Sequence, residues 1–192
     1  MATSLILAST SRYRAELLAR LRLPFETAAP DIDESRLDGE SGAAMCARLA
    51  ARKARAVATQ FPGAVVIGSD QCAVRDDVVL GKPGDAEAAC EQLLAASGRR
   101  VDFHTAVCVV DASDHEHEFA DTTRVHFRLL DTNTVKRYVD AEQPFDCAGS
   151  FKVEGLGISL FEAVESRDPT ALIGLPLIQL AACLRQLGYP LP

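Results

Sequence analysis

Two short apolar runs fix most of what this chain can fold into. Leu5–Ala8 and residues 64–69 are too brief for a helix, and neither alternates polar with apolar residues. A continuous short run of this kind is the pattern of a strand covered on both faces. Helix-forming segments separate them. Residues 11–23 carry Leu17, Leu18 and Leu21 and stop before Pro24, and residues 43–60 carry a long apolar face. A second strand is predicted over residues 25–29, followed by an acidic loop over 30–42 that holds Asp31, Asp33, Glu34 and Asp38.

Beyond the second core run, residues 78–80 lead into the turn Gly81-Lys82-Pro83-Gly84, and Asp85 is placed to cap a helix over Ala86–Ala96. Residues 101–110 and 119–129 read as a hairpin around a polar turn. Asp131 caps a helix reaching about residue 140, a strand is predicted over 158–163, and a closing helix over 173–187. Strands alternating with helices, then a hairpin, give the α/β class with a mixed sheet flanked by helices. At 192 residues this suits a single domain, built as two lobes around a cleft.

Charge and cysteine usage narrow the partners. The net charge of −7 opposes coating of nucleic acid or of an anionic membrane, but leaves room for a local basic pocket. The longest apolar runs fall far short of the roughly 20 residues that span a bilayer. The start lacks a basic region, so no signal peptide is expected. Six cysteines without a Cys-x-x-Cys read as buried, reduced thiols of a cytoplasmic protein. His115-Glu116-His117 reads as part of a hairpin turn rather than a zinc site.

Three clusters carry chemistry. Ser9-Thr10-Ser11-Arg12-Tyr13-Arg14 lies where a core strand gives way to a helix, whose free amides suit an anion. Ser11 is a fitting N-cap. Arg12 and Arg14 oppose the helix dipole in that first turn, so each needs an anion opposite, either a ligand phosphate or a protein carboxylate. Lys53 sits on the apolar row Met45, Leu49, Val57, where an ammonium either snorkels or enters a cleft. Asp70 follows the apolar run directly, at the strand tip where open α/β sheets bind ligands. It reads as a general base, a metal ligand or a loop cap. Arg48, Arg52 and Arg55 read as a solvated face. Lys82 in its tight turn and the glycine-rich segment 148–157 say little alone. No P-loop or dinucleotide fingerprint is present.

Together these pieces resemble the Maf family of nucleoside triphosphate pyrophosphatases. The resemblance runs nearly end to end. It covers Leu-Ala-Ser-Thr-Ser-x-x-Arg-x-x-Leu-Leu (7–18), Pro-Asp-Ile-Asp-Glu (30–34), Arg-Leu-Ala-x-x-Lys-Ala (48–54), Ile-Gly-Ser-Asp-Gln (67–71), Gly-Lys-Pro (81–83), Ala-Gly-Ser-Phe-Lys-x-Glu-Gly (148–155) and Leu-Ile-Gly-Leu-Pro-Leu (172–177). Within the family the chain is similar to the YceF-type branch, associated with 7-methyl-GTP. The dTTP/UTP branch typically has Arg at Tyr13, Thr at Gln71 and Gln at Glu154. Arg12 departs from the family, which usually has Pro there.

The resemblance implies an elongated mixed-sheet fold with a cleft, a divalent metal (Mg, Mn or Co), a cytoplasmic location and a possible homodimer. It implies hydrolysis of a nucleotide to the monophosphate and pyrophosphate, with Asp70 as general base. Tyr13, Gln71 and Glu154 then track the substrate. Ser9, Ser11, Arg14, Lys53 and Lys82 bind phosphate, and Glu34, Asp33 and Asp70 hold the metal. Two alternatives stand beside this reading: a dTTP/UTP or broad-specificity member of the family, and a non-catalytic nucleotide-binding regulator of cell division.

Overall fold

The computed structural model describes residues 3–192; Met1 and Ala2, where the leader reading begins, lie outside the described residues. Seven strands and five α-helices are formed among the described residues. The strands are β1 (Leu5–Ala8), β2 (Glu26–Ala28), β3 (Val65–Arg75), β4 (Val78–Leu80), β5 (Arg100–Val110), β6 (Glu116–Phe127) and β7 (Phe161–Glu165). The helices are α1 (Arg12–Ala19), α2 (Gly42–Ala58), α3 (Ala86–Ala96), α4 (Thr132–Glu142) and α5 (Leu177–Gln186). The sheet runs β2-β1-β3-β5-β6-β7, with β4 paired to β3. β1 is parallel to β2 and to β3, whereas β4 is antiparallel to β3 and β7 to β6. This is the mixed sheet of the α/β class.

Local chemistry explains the element starts. Ser11, Ser41, Asp85 and Asp131 each accept a hydrogen bond from a backbone amide of the helix that follows, relieving donors that the helix cannot satisfy itself. Helix α5 begins at Leu177, not at residue 173, because Pro176 keeps Leu175 out of the helical region. Residues Ala171–Ile173 form a separate 3₁₀ turn that ends on Gly174 at φ +120°. The segment predicted as a strand from residue 158 instead coils as a 3₁₀ turn, Leu156–Leu160, where Leu156 N–H donates to the Glu142 carboxylate; β7 starts only at Phe161.

The chain divides into two compact units. The first comprises Met1–Asp70, Thr105–Asp121 and Asp168–Pro192. Its core joins Leu7 of β1, Leu18 of α1, Ile67 of β3, Val109 of β5 and Leu180 and Leu184 of α5, all fully buried. Gly68 has its own reason: a Cβ there would overlap the Ala50 carbonyl and the Ala54 amide, so only glycine lets β3 lie against the α2 backbone. The second unit comprises Gln71–His104 and Thr122–Arg167. Its core holds Phe103, Phe127, Phe151 and Phe161, packed edge to face at centroid distances of 4.7–5.7 Å, a favoured geometry for aromatic quadrupoles. All six cysteines are free thiols. No helix among the described residues is long and apolar enough to cross a membrane.

Candidate active site

The site begins where β1 stops. Ala8 pairs with Gly68 as the last parallel rung, and the chain turns away at the buried Ser9. Ser9 Oγ accepts from Ser11 N–H at 3.1 Å, and Ser11 Oγ accepts from Arg14 N–H at 3.4 Å. The first turn of α1 contains no acidic residue. Arg14 forms no ion pair with a protein carboxylate among the described residues. Its Nε donates to the Gly174 carbonyl at 3.1 Å, and this is its one side-chain hydrogen bond among the described residues. Burial pushes its guanidinium down from the ordinary range, while Asp70 and Glu34 oppose that shift. Arg12 behaves differently. It is exposed, and its guanidinium lies over the Tyr13 ring at 4.8 Å, with Nη2 donating to the Tyr13 hydroxyl at 2.9 Å.

Lys53 is buried on the inner face of α2, at 5% exposure. It does not snorkel. Its Nζ donates to Asp70 Oδ1 at 2.7 Å and faces Glu34 Oε1 at 3.1 Å. Asp70 is itself only 7% exposed. Two buried charges are tolerable because each satisfies the other. Asp70 is not at a strand tip: β3 continues through it to Arg75. A polar Ser-Asp pair can occupy a buried strand here because both have partners. Ser69 Oγ donates to the Gly174 carbonyl at 2.9 Å, as Asp70 receives Lys53. Asp70 Oδ2 makes no hydrogen bond among the described residues, so this carboxylate keeps one open oxygen.

Glu34 reaches Lys53 from the acidic loop, and Arg48 fastens that loop. Arg48 grips the Glu40 carboxylate through Nε at 2.6 Å and Nη2 at 2.7 Å and donates to the Ser35 carbonyl at 3.0 Å. This bidentate bond pulls the Glu40 carboxyl down to about 2. Arg48 is therefore not part of a solvated face. Asp33 accepts from the Ser35 amide at 2.9 Å and hydroxyl at 2.5 Å, which lowers its pKa.

The other predicted residues belong to the second unit. Gln71 is half-buried; Lys82 and Glu154 are exposed. Lys152 does not pair with Glu154. Its Nζ donates to the Glu142 carbonyl at 2.9 Å, and Glu154 forms no ion pair among the described residues. Sequence reasoning missed Ser69, Gly174 and Glu40. The 172–177 motif carried the only signal for Gly174, without a role for it.

Glu34 and Asp70 fit a hard divalent cation. They are oxygen donors from two elements already turned toward one positive charge, the Lys53 ammonium. Elsewhere, Cys108, Glu116 and Glu118 bring possible ligand atoms within 4.8 Å of one another. Burial there pushes the Cys108 thiol up to about 12, and Arg55 engages Glu116.

Comparison with known proteins bears on the family and the fold. Residues 4–187 match the family model described as Maf-like protein. The chain is 55% identical over 192 residues to a protein of Xanthomonas oryzae pv. oryzae named 7-methyl-GTP pyrophosphatase, covering 100% of both. It is 52% identical to one of the same name from Pseudomonas aeruginosa, covering 98% of each chain. Among solved structures, a HAM1 protein from Coxiella burnetii shares the fold, with a TM-score of 0.55 at 16% identity, covering 96% of this chain and 100% of that one. With the full length matched in sequence, the chain belongs to the Maf family.

Proposed function

We propose that this protein hydrolyses 7-methyl-GTP to 7-methyl-GMP and pyrophosphate. One observation carries the reading of the chemistry: the buried Asp70 carboxylate, held at one oxygen by Lys53 with Glu34 alongside, and open at the other. Full-length relatives named for this activity support the choice of nucleotide.

The obstacle in this reaction is repulsion between an attacking oxygen anion and the charged triphosphate. Arg14, Lys53 and Lys82 supply positive charge to the phosphate oxygens, and Ser9, Ser11 and the first amides of α1 hold them. Asp70, through its open oxygen, takes the proton of the water that attacks the α-phosphorus. The bond to the bridging oxygen breaks and pyrophosphate leaves. Glu34, Asp70 and Asp33 would hold a divalent cation, which would supply further charge neutralisation. N7-methylation makes the guanine cationic, which favours an aromatic face at Tyr13 and a carboxylate at Glu154. Gln71 is the third residue of this selection.

The test is pyrophosphate release with Mg²⁺ or Mn²⁺ across 7-methyl-GTP, GTP, dTTP, UTP and CTP, beside Asp70→Asn. Selective release from 7-methyl-GTP that vanishes in Asp70→Asn is the expected result. Near-normal turnover by Asp70→Asn sinks the base assignment. Release mainly from dTTP and UTP moves the protein to the pyrimidine branch, and binding without release makes it a nucleotide-binding regulator.

A further inference from the structure

Two cations stand near the same two carboxylates, and the fold treats them differently. Lys53 is paired with both Asp70 and Glu34. Arg14 is close enough for both carboxylates to favour its charge, yet it forms no ion pair among the described residues. Its Nε is tied instead to the carbonyl of Gly174. That carbonyl is shared, because the fully buried Ser69 hydroxyl donates to it at 2.9 Å.

The turn bearing this carbonyl is anchored on every side. Thr105 Oγ1 donates to the Ala171 carbonyl at 2.9 Å. The buried Asp168 accepts from Thr170 N–H at 2.9 Å and from Ile178 N–H at 2.6 Å. Thr170 Oγ1 donates to the Leu175 carbonyl and accepts from Leu177 N–H. At Gly174 φ is +120°, a backbone conformation that argues for glycine.

We infer that Ser69 is a positioning residue for Arg14. By fixing the Gly174 carbonyl it holds the Arg14 fork by Nε, keeps the guanidinium off Asp70 and Glu34, and leaves the terminal nitrogens for a phosphate oxygen. The inference rests on the reading of Arg14 as a phosphate ligand. A guanidinium can serve in this way and an ammonium cannot, because one edge of the fork is spent on the carbonyl while the other remains bidentate.

The probe is inorganic pyrophosphate, whose binding needs no turnover, titrated calorimetrically into wild type, Ser69→Ala, Arg14→Gln and the double variant. Thr105→Ala is the control, since it deletes a buried hydrogen bond to the Ala171 carbonyl of the same turn and leaves both donors to the Gly174 carbonyl in place. Ser69→Ala is expected to weaken pyrophosphate binding about three- to tenfold, the range for the net loss of one hydrogen bond between neutral groups. It has no further effect in Arg14→Gln, and Thr105→Ala lowers thermal stability while binding pyrophosphate normally. Equal weakening by Ser69→Ala and Thr105→Ala, or additive effects of Ser69→Ala and Arg14→Gln, overturns the inference. Should Ser69→Ala not fold, Arg14→Lys decides the matter: it keeps the charge but loses the fork. Wild-type affinity in Arg14→Lys refutes the positioning role, and affinity close to that of Arg14→Gln supports it. Pyrophosphate binding that is indifferent to Arg14 defeats this inference and leaves the hydrolytic reading intact. Arg14-dependent binding in a protein that hydrolyses no nucleotide does the reverse.

Discussion

Replacing Lys53 by Met tests whether the centre is a buried ion pair or a surface one. The side chains of Lys53 and Asp70 retain 6% and 9% of their exposure, and their charged atoms are 2.7 Å apart. At that separation and an effective dielectric of about 20, the attraction is about 6 kcal/mol. Desolvation offsets much of it, costing several kcal/mol per ion. Lys53→Met removes the attraction while Asp70 stays out of water. The expected loss is therefore the ~3–5 kcal/mol typical of breaking one side of a buried pair, a large part of the ~5–15 kcal/mol that holds a domain together. Glu34 contributes little to this sum, because its side chain is 55% exposed. Urea unfolding followed by circular dichroism measures the loss. Adding Asp70→Asn should return part of it, since the double variant leaves no buried unpaired charge. A loss below about 1 kcal/mol for Lys53→Met, the range of exposed pairs, refutes the argument. So does a double variant less stable than Lys53→Met alone.

Three further outcomes are expected. The Asp111 carboxyl is held down to about 2, chiefly by its hydrogen bond to His117 at 3.0 Å. A depressed carboxyl stabilises the fold above its unfolded pKa, so this contribution is full near pH 5 and drains away as pH falls toward 2; Asp111→Asn should flatten that part of the acid limb in urea titrations. On the reading of Tyr13 as a face for the cationic base, the Arg12 guanidinium competes for that face. Arg12→Ala should then raise the kcat/KM preference for 7-methyl-GTP over GTP about two- to fivefold, matching the ~0.5–1 kcal/mol of an exposed cation–π pair. Chelation of divalent ions should abolish pyrophosphate release, and Mg²⁺ binding measured by calorimetry should weaken in Glu34→Gln.

Local chemistry was legible in the sequence, and distant partnership was not. The caps Ser11, Asp85 and Asp131 could be read because a cap and its amide lie within three residues. Lys53 could be placed on the inner face of α2 from spacing alone. Its partner could not be assigned, since Asp70 lies 17 residues on and in another element. The polar triplet Ser69-Asp70-Gln71 reads as a strand end, and β3 runs through it because Lys53 and Gly174 satisfy the two buried polar groups. Arg14 was recognised as an anomaly at a helix start, but its partner is a backbone carbonyl, which leaves no letter in the sequence. Arg48 reads as solvated because nothing local marks Glu40 as its acceptor.

The difference between the two cations has a consequence for catalysis. Lys53 and Arg14 together only balance Asp70 and Glu34, so these four groups offer a triphosphate no net positive charge. What they offer is arrangement. On the proposed reading, Lys53 holds one oxygen of the buried Asp70 carboxylate and leaves the other for a base, and Arg14, tied by one edge, keeps a donor pair for phosphate. A site built in this way stabilises charge in one geometry rather than attracting anions in general. It must therefore draw its excess positive charge from elsewhere. On the proposed reading, a divalent cation on Glu34 and Asp70 is the source that this unit's own chemistry provides. A neutral arrangement also avoids a strong standing field in the free protein, which would otherwise cost stability when no substrate is present to answer it.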